Sequence, residues 1–201
     1  MATNISGSVS LVYGSHSHSE NFSTTASTLI YSNKSHEYAA GAAIALDEGA
    51  ALDVGTIDSH EGLLLIKNNN NVGALSVSVD GSAYDISIPA KVPNLISVGP
   101  DHPVSVKCPN ADISGKGITS ASAAGVITLD DAASIGTAYM TGVSNVGGDT
   151  SPYIVEFDTT TTGIVYELDG KTKKDLSSVY GATSTVNLQY FVKYRYTLTE
   201  A

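Results

Sequence analysis

Residues 62–108 read GLLLIKNNNNVGALSVSVDGSAYDISIPAKVPNLISVGPDHPVSVKC, and the spacing of apolar residues in this stretch decides the fold class. Leu63–Lys67 is a continuous apolar run ending in a lysine, the pattern of a strand buried on both faces. Leu75–Val79, Tyr84–Ile88, Leu95–Val98 and Val104–Cys108 alternate apolar with polar residues. Successive side chains of a strand point to opposite faces, so this period of two marks half-buried β-strands. Turn chemistry separates the runs: Asn68–Asn71, Asp80-Gly81 and Gly99-Pro100-Asp101. Asp-Gly in particular supplies the positive φ of tight hairpins. The expectation is a five-strand meander with short connections, which at this spacing indicates a sandwich or barrel.

The same period runs on toward the C-terminus. Val126–Leu129, Tyr153–Phe157 and Ile164–Leu168 alternate, with turns at Asp158–Gly163 and Asp169-Gly170. Val186, Leu188, Tyr190, Val192, Tyr194, Tyr196 and Leu198 alternate with mainly polar residues, Phe191 being the one apolar residue on the polar side. This reads as one long strand with a buried and a wet face. Lys67, Lys107 and Lys193 each adjoin an apolar run, where lysine discourages unwanted edge pairing. Helix signals are confined to Glu37–Leu46, which lacks a 3.6-residue face, and to a turn or two at Asp130–Ile135. The chain is therefore read as all-β: a single antiparallel β-sandwich over residues 1–201 with long irregular loops and at most one or two short helices. Residues 1–28, including the polar stretch Gly14–Ser27, are expected as an N-terminal arm, and residues 110–149 as a loop-rich insertion.

Composition narrows the function. The 201 residues carry 10 Lys+Arg against 20 Asp+Glu, a net charge of −10, and only 15% are charged. Twenty-six Ser, 19 Thr and 19 Gly replace charge as the solubilising surface. So few and scattered basic residues form no stripe for a phosphate backbone, which excludes nucleic acid as an expected partner. No apolar run approaches the ~20 residues of a membrane helix, so no membrane partner is expected. MATNISGSVS lacks the basic and apolar regions of a secretory signal, and the lone Cys108 suits synthesis in a reducing cytoplasm.

No constellation of residues makes a persuasive catalytic or cofactor site. His16 and His18 flank Ser17 and with Glu20 form a His–His–carboxylate series, a weak candidate for a zinc or nickel site that lacks a third strong ligand at characteristic spacing. A third ligand could come from a symmetry mate; an exposed polar loop explains the same residues. Asp58, His60 and Glu61, with Ser59 between, read as a turn into a strand, because a catalytic triad converges from separate elements. Asp47/Glu48 and Asp130/Asp131 are adjacent residues that point apart, Asp80–Ser82 lacks the spacing of a calcium loop, and Gly115–Gly117 and Gly147-Gly148 are too sparse to cradle phosphate. Cys108 reads as a small buried hydrophobe. Tyrosine is abundant, at 11 residues, and Tyr190, Tyr194 and Tyr196 lie in step with Val and Leu. Together with Phe191 and Phe22 they are the candidates for a subunit interface, where tyrosine is enriched; core packing fits the pattern equally, and a sugar platform less well.

Residues 62–98 resemble a recurrent pattern in virion structural proteins of tailed bacteriophages. In that pattern an apolar strand ends in I-K-N, and a loop leads to an alternating strand and a D-G turn. A further amphipathic strand ends near a proline. Leu65–Asn68, Ser76–Gly81 and Tyr84–Pro89 are the matching positions; where family members often carry Pro-Gly-Glu, this chain has Pro89-Ala90-Lys91. The resemblance implies a jelly-roll-like sandwich with no enzymatic activity and no cofactor. It implies a capsid decoration or cement protein that bridges capsid subunits, with a tail-tube, connector or other head–tail subunit as the near alternative. Its partners would be copies of itself, as a trimer, and the major capsid protein or other virion proteins. Its place would be the virion, on the capsid surface, after synthesis in the bacterial cytoplasm. A carbohydrate-binding β-sandwich module, using Tyr and Asn/Asp loops, is the alternative from a different class.

Overall fold

A computed structural model describes residues 3–13, 16–26, 34–36, 50–51, 62–80, 82–98, 104–143, 151–178 and 184–200. No helix occurs among them; residues 130–135, expected to hold a helical turn, are irregular. Glu37–Leu46 lies outside the described residues.

The first two strands, β1 (Thr3–Tyr13) and β2 (His16–Ala26), form an antiparallel hairpin that joins no other sheet among the described residues, with Tyr13 opposite His16. The polar stretch read as an irregular arm is thus largely strand: every described residue in it belongs to β2. Two short strands follow, β3 (Lys34–His36) and β4 (Ala50–Ala51).

The five strands expected between 63 and 108 are present as β5 (Gly62–Asn68), β6 (Ala74–Ser78), β7 (Ile86–Pro89), β8 (Pro93–Val98) and β9 (Ser105–Lys107). Their pairing is not a meander. β5 pairs with β8, while β6 pairs with β7 and β9, so the chain passes repeatedly between two sheets. Leu64 and Ile66 of β5, Leu75 and Val77 of β6, and Ile88 of β7 are fully buried. Burying a side chain of this size contributes about 1.5–3 kcal/mol. The run Leu63–Lys67 is buried on one face only, because Leu65 is 48% exposed and Lys67 is exposed.

Six strands then close a barrel: β10 (Ile113–Ala121), β11 (Val126–Leu129), β12 (Gly136–Val143), β13 (Tyr153–Phe157), β14 (Thr162–Tyr166) and β15 (Thr185–Phe191). Around the barrel their order is β10-β11-β14-β13-β12-β15, all pairs antiparallel. The strands form several antiparallel sheets, one of them this closed barrel, and three of the barrel's strands, β10 to β12, lie within residues 110–149, the stretch read as loop-rich. Its Gly, Ala and Ser hide them, since few large apolar residues mark the alternation. Ile118, Ile127, Met140, Phe157 and Leu188 are among the side chains buried in this part of the chain.

The last strand, β16 (Tyr194–Glu200), leaves the barrel and returns to the flat sheets, pairing with β3 and β5. The long C-terminal strand is therefore two strands in different sheets. Apolar alternation continues across the break, with Val192 and Tyr194 both buried, but the hydrogen-bond partners change completely. The flat sheets have the orders β3-β16-β5-β8 and β4-β9-β6-β7.

Candidate functional site

The junction between sheets and barrel is built by four consecutive asparagines, Asn68–Asn71, at the end of β5. Asn68 is fully buried. Its Nδ2 donates to the carbonyls of Gly73 and Ile88, both at 3.1 Å, and its Oδ1 accepts from the Asn70 amide at 3.0 Å. This places Asn70, also buried, against the crossing from β15 to β16. Asn70 Nδ2 donates to the Phe191 carbonyl at 2.9 Å, and the Lys193 amide donates to Asn70 Oδ1 at 2.9 Å. The Asn69 amide donates to the Lys193 carbonyl at 2.6 Å. Side-chain amides thus satisfy backbone groups that leave one sheet and have not yet entered the next, as buried polar groups require. Asn71 reaches the barrel, donating to Glu156 of β13. Gly73 completes the joint: its φ is +85°, and an added Cβ would lie 2.8 Å from the Cα of Gly136.

Beside this joint is a cleft of about 220 Å³. The sheets contribute Asn69, Asn71 and Lys91; the barrel contributes Thr137, Ile154, Glu156, Asp169 and Lys171; Phe191 and Lys193 come from the crossing. Lys91 has φ +67°, the one non-glycine with positive φ among the described residues, and its Nζ donates to the Asn69 carbonyl at 3.1 Å. A side chain held in the left-handed region costs energy and tends to mark a functional position. Asp169 caps its own turn: it accepts from the Thr172 hydroxyl and from the Lys171 and Thr172 amides, which hold its pKa down at about 2. Its carboxylate is therefore charged across the physiological range.

The residues singled out from sequence distribute as follows. His18 Nε2 stands 3.1 Å from Glu20 Oε1, both exposed on β2; the side chain of His16 lies outside the described residues. Among the described residues no three His, Cys, Asp or Glu side chains form a metal-sized group. The side chain of Phe22 also lies outside them. Tyr190, Phe191, Tyr194 and Tyr196 are all buried within this one chain, so they are core residues and not a subunit interface, which corrects that expectation. The Tyr190 hydroxyl accepts from the Ser134 amide and donates to the Ser134 carbonyl, both at 3.0 Å; burial pushes its pKa up to about 12. Phe191 stacks on Tyr139 with ring centres 4.3 Å apart.

Cys108 is buried, and burial raises its thiol pKa. Asp80 accepts from the Ser78 hydroxyl and from the Ser82 and Ala83 amides, an arrangement that closes a turn and holds its carboxyl well below the usual range. Asp131 pairs with Lys116 at 2.6 Å, and Asp130 accepts from the Gly117 amide at 3.1 Å, so these neighbours serve separate structural contacts. Asp47, Glu48, Asp58, Ser59, His60, Glu61, Gly147 and Gly148 lie outside the described residues.

Sequence reasoning misses the exposed apolar surface. Leu65 of β5 and Leu95 of β8 are directly opposed in register and are 48% and 39% exposed. The run LLLI carries the signal, but on its own it reads as a doubly buried strand. No helix among the described residues is long and apolar enough to cross a membrane. Comparison of the chain with protein-family models, with curated proteins and with solved structures gave no match.

Proposed function

We propose that this chain is a non-enzymatic structural subunit of a phage virion, a decoration or cement protein built on a jelly roll. The observation that carries the reading is strand order. Numbered one to eight along the chain, β3, β4, β5, β6, β7, β8, β9 and β16 fall into sheets of order 1-8-3-6 and 2-7-4-5. This order supports the reading of two Greek keys wound into a jelly roll, an architecture used by viral capsid and lectin domains. The barrel β10–β15 is then a domain inserted between the seventh and eighth strands. Insertion there suits an intact eight-strand core: entry and exit of the insert lie side by side, the Tyr190 amide donating to Asp112 at 2.9 Å, and the exit is bonded to Asn70.

Surface character supports the same reading. Only 15% of residues are charged, and low charge limits repulsion between closely packed copies. The opposed Leu65 and Leu95 give one sheet an exposed apolar pair at its β5–β8 end, suited to a neighbouring subunit. The resemblance of residues 62–98 to phage virion proteins points the same way. In this reading each trimer bridges capsid subunits and stabilises the assembled shell by binding it and not its dissociated parts.

Stripping the protein from particles tests this. The heads should rupture at lower temperature and regain their stability when the protein is added back. Heads equally stable with and without it would overturn the cementing role.

A further inference from the structure

The cleft beside the asparagine joint has a chemical character that the structural role does not use. Three of the chain's ten basic residues, Lys91, Lys171 and Lys193, line it. Among the described residues none of these three has a carboxylate within ion-pair distance, whereas Lys116 and Lys174 are paired with Asp131 and Glu167. Lys91 is held at the cleft by a left-handed backbone and by the Asn69 carbonyl. Lys193 extends over the Phe191 ring, 5.5 Å from its centre. Three lysines lining one cleft in a chain of net charge −10 form a local exception to its overall sign.

The rest of the lining defines what such a cleft would take. Glu156 and Asp169 would repel a ligand that is anionic throughout, such as phosphate. A neutral sugar would leave the ammonium groups without a function. A ligand with one carboxylate and several hydroxyls uses both sets: lysines for the carboxylate, and Glu156, Asp169, Asn71 and Thr137 for hydroxyls. The Glu156 carboxylate already accepts from Asn71 on one oxygen, which fixes it in place. Walls from two parts of the fold, tied by buried Asn70, keep these groups preorganised. The volume, about 220 Å³, suits a single sugar ring and not an extended chain.

We propose that this cleft binds one acidic pyranose unit, a sugar ring bearing a carboxylate, at the end or edge of a glycan. The inference stands apart from the virion reading, since a cement protein without glycan binding and a lectin outside a virion are both coherent.

The test is calorimetric or NMR titration of the intact protein at low salt with glucuronate, N-acetylneuraminate, glucose and inorganic phosphate. Saturable binding of at least one of the two acidic sugars is expected, with glucose and phosphate each at least about tenfold weaker. A charge-assisted hydrogen bond to the sugar carboxylate is worth about tenfold in affinity. Lys171→Gln combined with Lys193→Gln should therefore weaken binding by about tenfold or more while the unfolding temperature falls by no more than about 4 °C, the loss of the Lys193–Phe191 contact. Absence of saturable binding by both acidic sugars would overturn the proposal. So would equal affinity for glucose or phosphate, or unchanged affinity in the double variant.

Discussion

Replacing Asn70 with alanine is the sharpest perturbation of this fold. The side chain is buried and satisfies two backbone groups, the Phe191 carbonyl and the Lys193 amide, each at 2.9 Å. Removing it leaves a buried acceptor and a partly buried donor without partners, each costing up to about 1–3 kcal/mol. Water entering from the adjacent cleft would recover part of that, so a net loss of about 2–4 kcal/mol is expected. For a chain of this size that corresponds to a fall of roughly 5–15 °C in unfolding temperature. Asn70→Asp keeps the acceptor but turns a carboxylate oxygen toward the Phe191 carbonyl, and should be at least as damaging. Asn71→Ala is the control: that bond to Glu156 is exposed, and its loss should cost under ~0.5 kcal/mol. Urea unfolding of the three variants measures this, with hydrogen exchange at the Lys193 amide as a local readout. If Asn70→Ala and Asn71→Ala cost the same, the joint is not held as described.

The same geometry sets outcomes at four further places in the fold. Gly73→Ala should cost about 1–3 kcal/mol in urea unfolding, because alanine resists φ +85° and its Cβ would press on Gly136. Tyr190→Phe should cost about 1–2 kcal/mol by loss of both bonds to Ser134. In the native protein Tyr190 should ionise only near pH 12, against an ordinary 10; its contribution to stability is complete below pH 10 and is lost as the pH rises toward 12, which ultraviolet titration and alkaline unfolding together would reveal. Cys108 should resist a thiol reagent at about pH 7–8 in the native state and react with one equivalent once unfolded, since it is buried with a raised pKa. Leu65→Lys with Leu95→Lys should convert the proposed trimer to monomer by light scattering, while stability changes little because both side chains are substantially exposed.

What can be read from sequence, and what cannot, follows from the information in a period of two. Alternation reports which side chains share a face, so β5 to β9 stand close to their expected positions. It does not report which strand lies alongside, so a meander and a two-sheet winding look alike along the chain. The barrel insertion is hidden for the same reason: Tyr190, Val192 and Tyr194 keep the alternation while the chain changes sheets. Local turn chemistry misleads where its partners are distant. Asn68–Asn71 looks like a polar loop, yet Asn70 bonds to Phe191, 121 residues away. The cleft is invisible in sequence because its lysines, at 91, 171 and 193, meet only in the folded chain. Alternation correctly puts Tyr190, Tyr194 and Tyr196 on an apolar face, but that face belongs to the chain's own interior.

Electron cryo-microscopy of particles that carry this protein tests the central claim most directly. Many symmetry-related copies are expected on the capsid exterior, each spanning a joint between capsid subunits, with the eight-strand body against the shell. Density confined to a single ring at the tail vertex, or no density for the chain in purified particles, would contradict it.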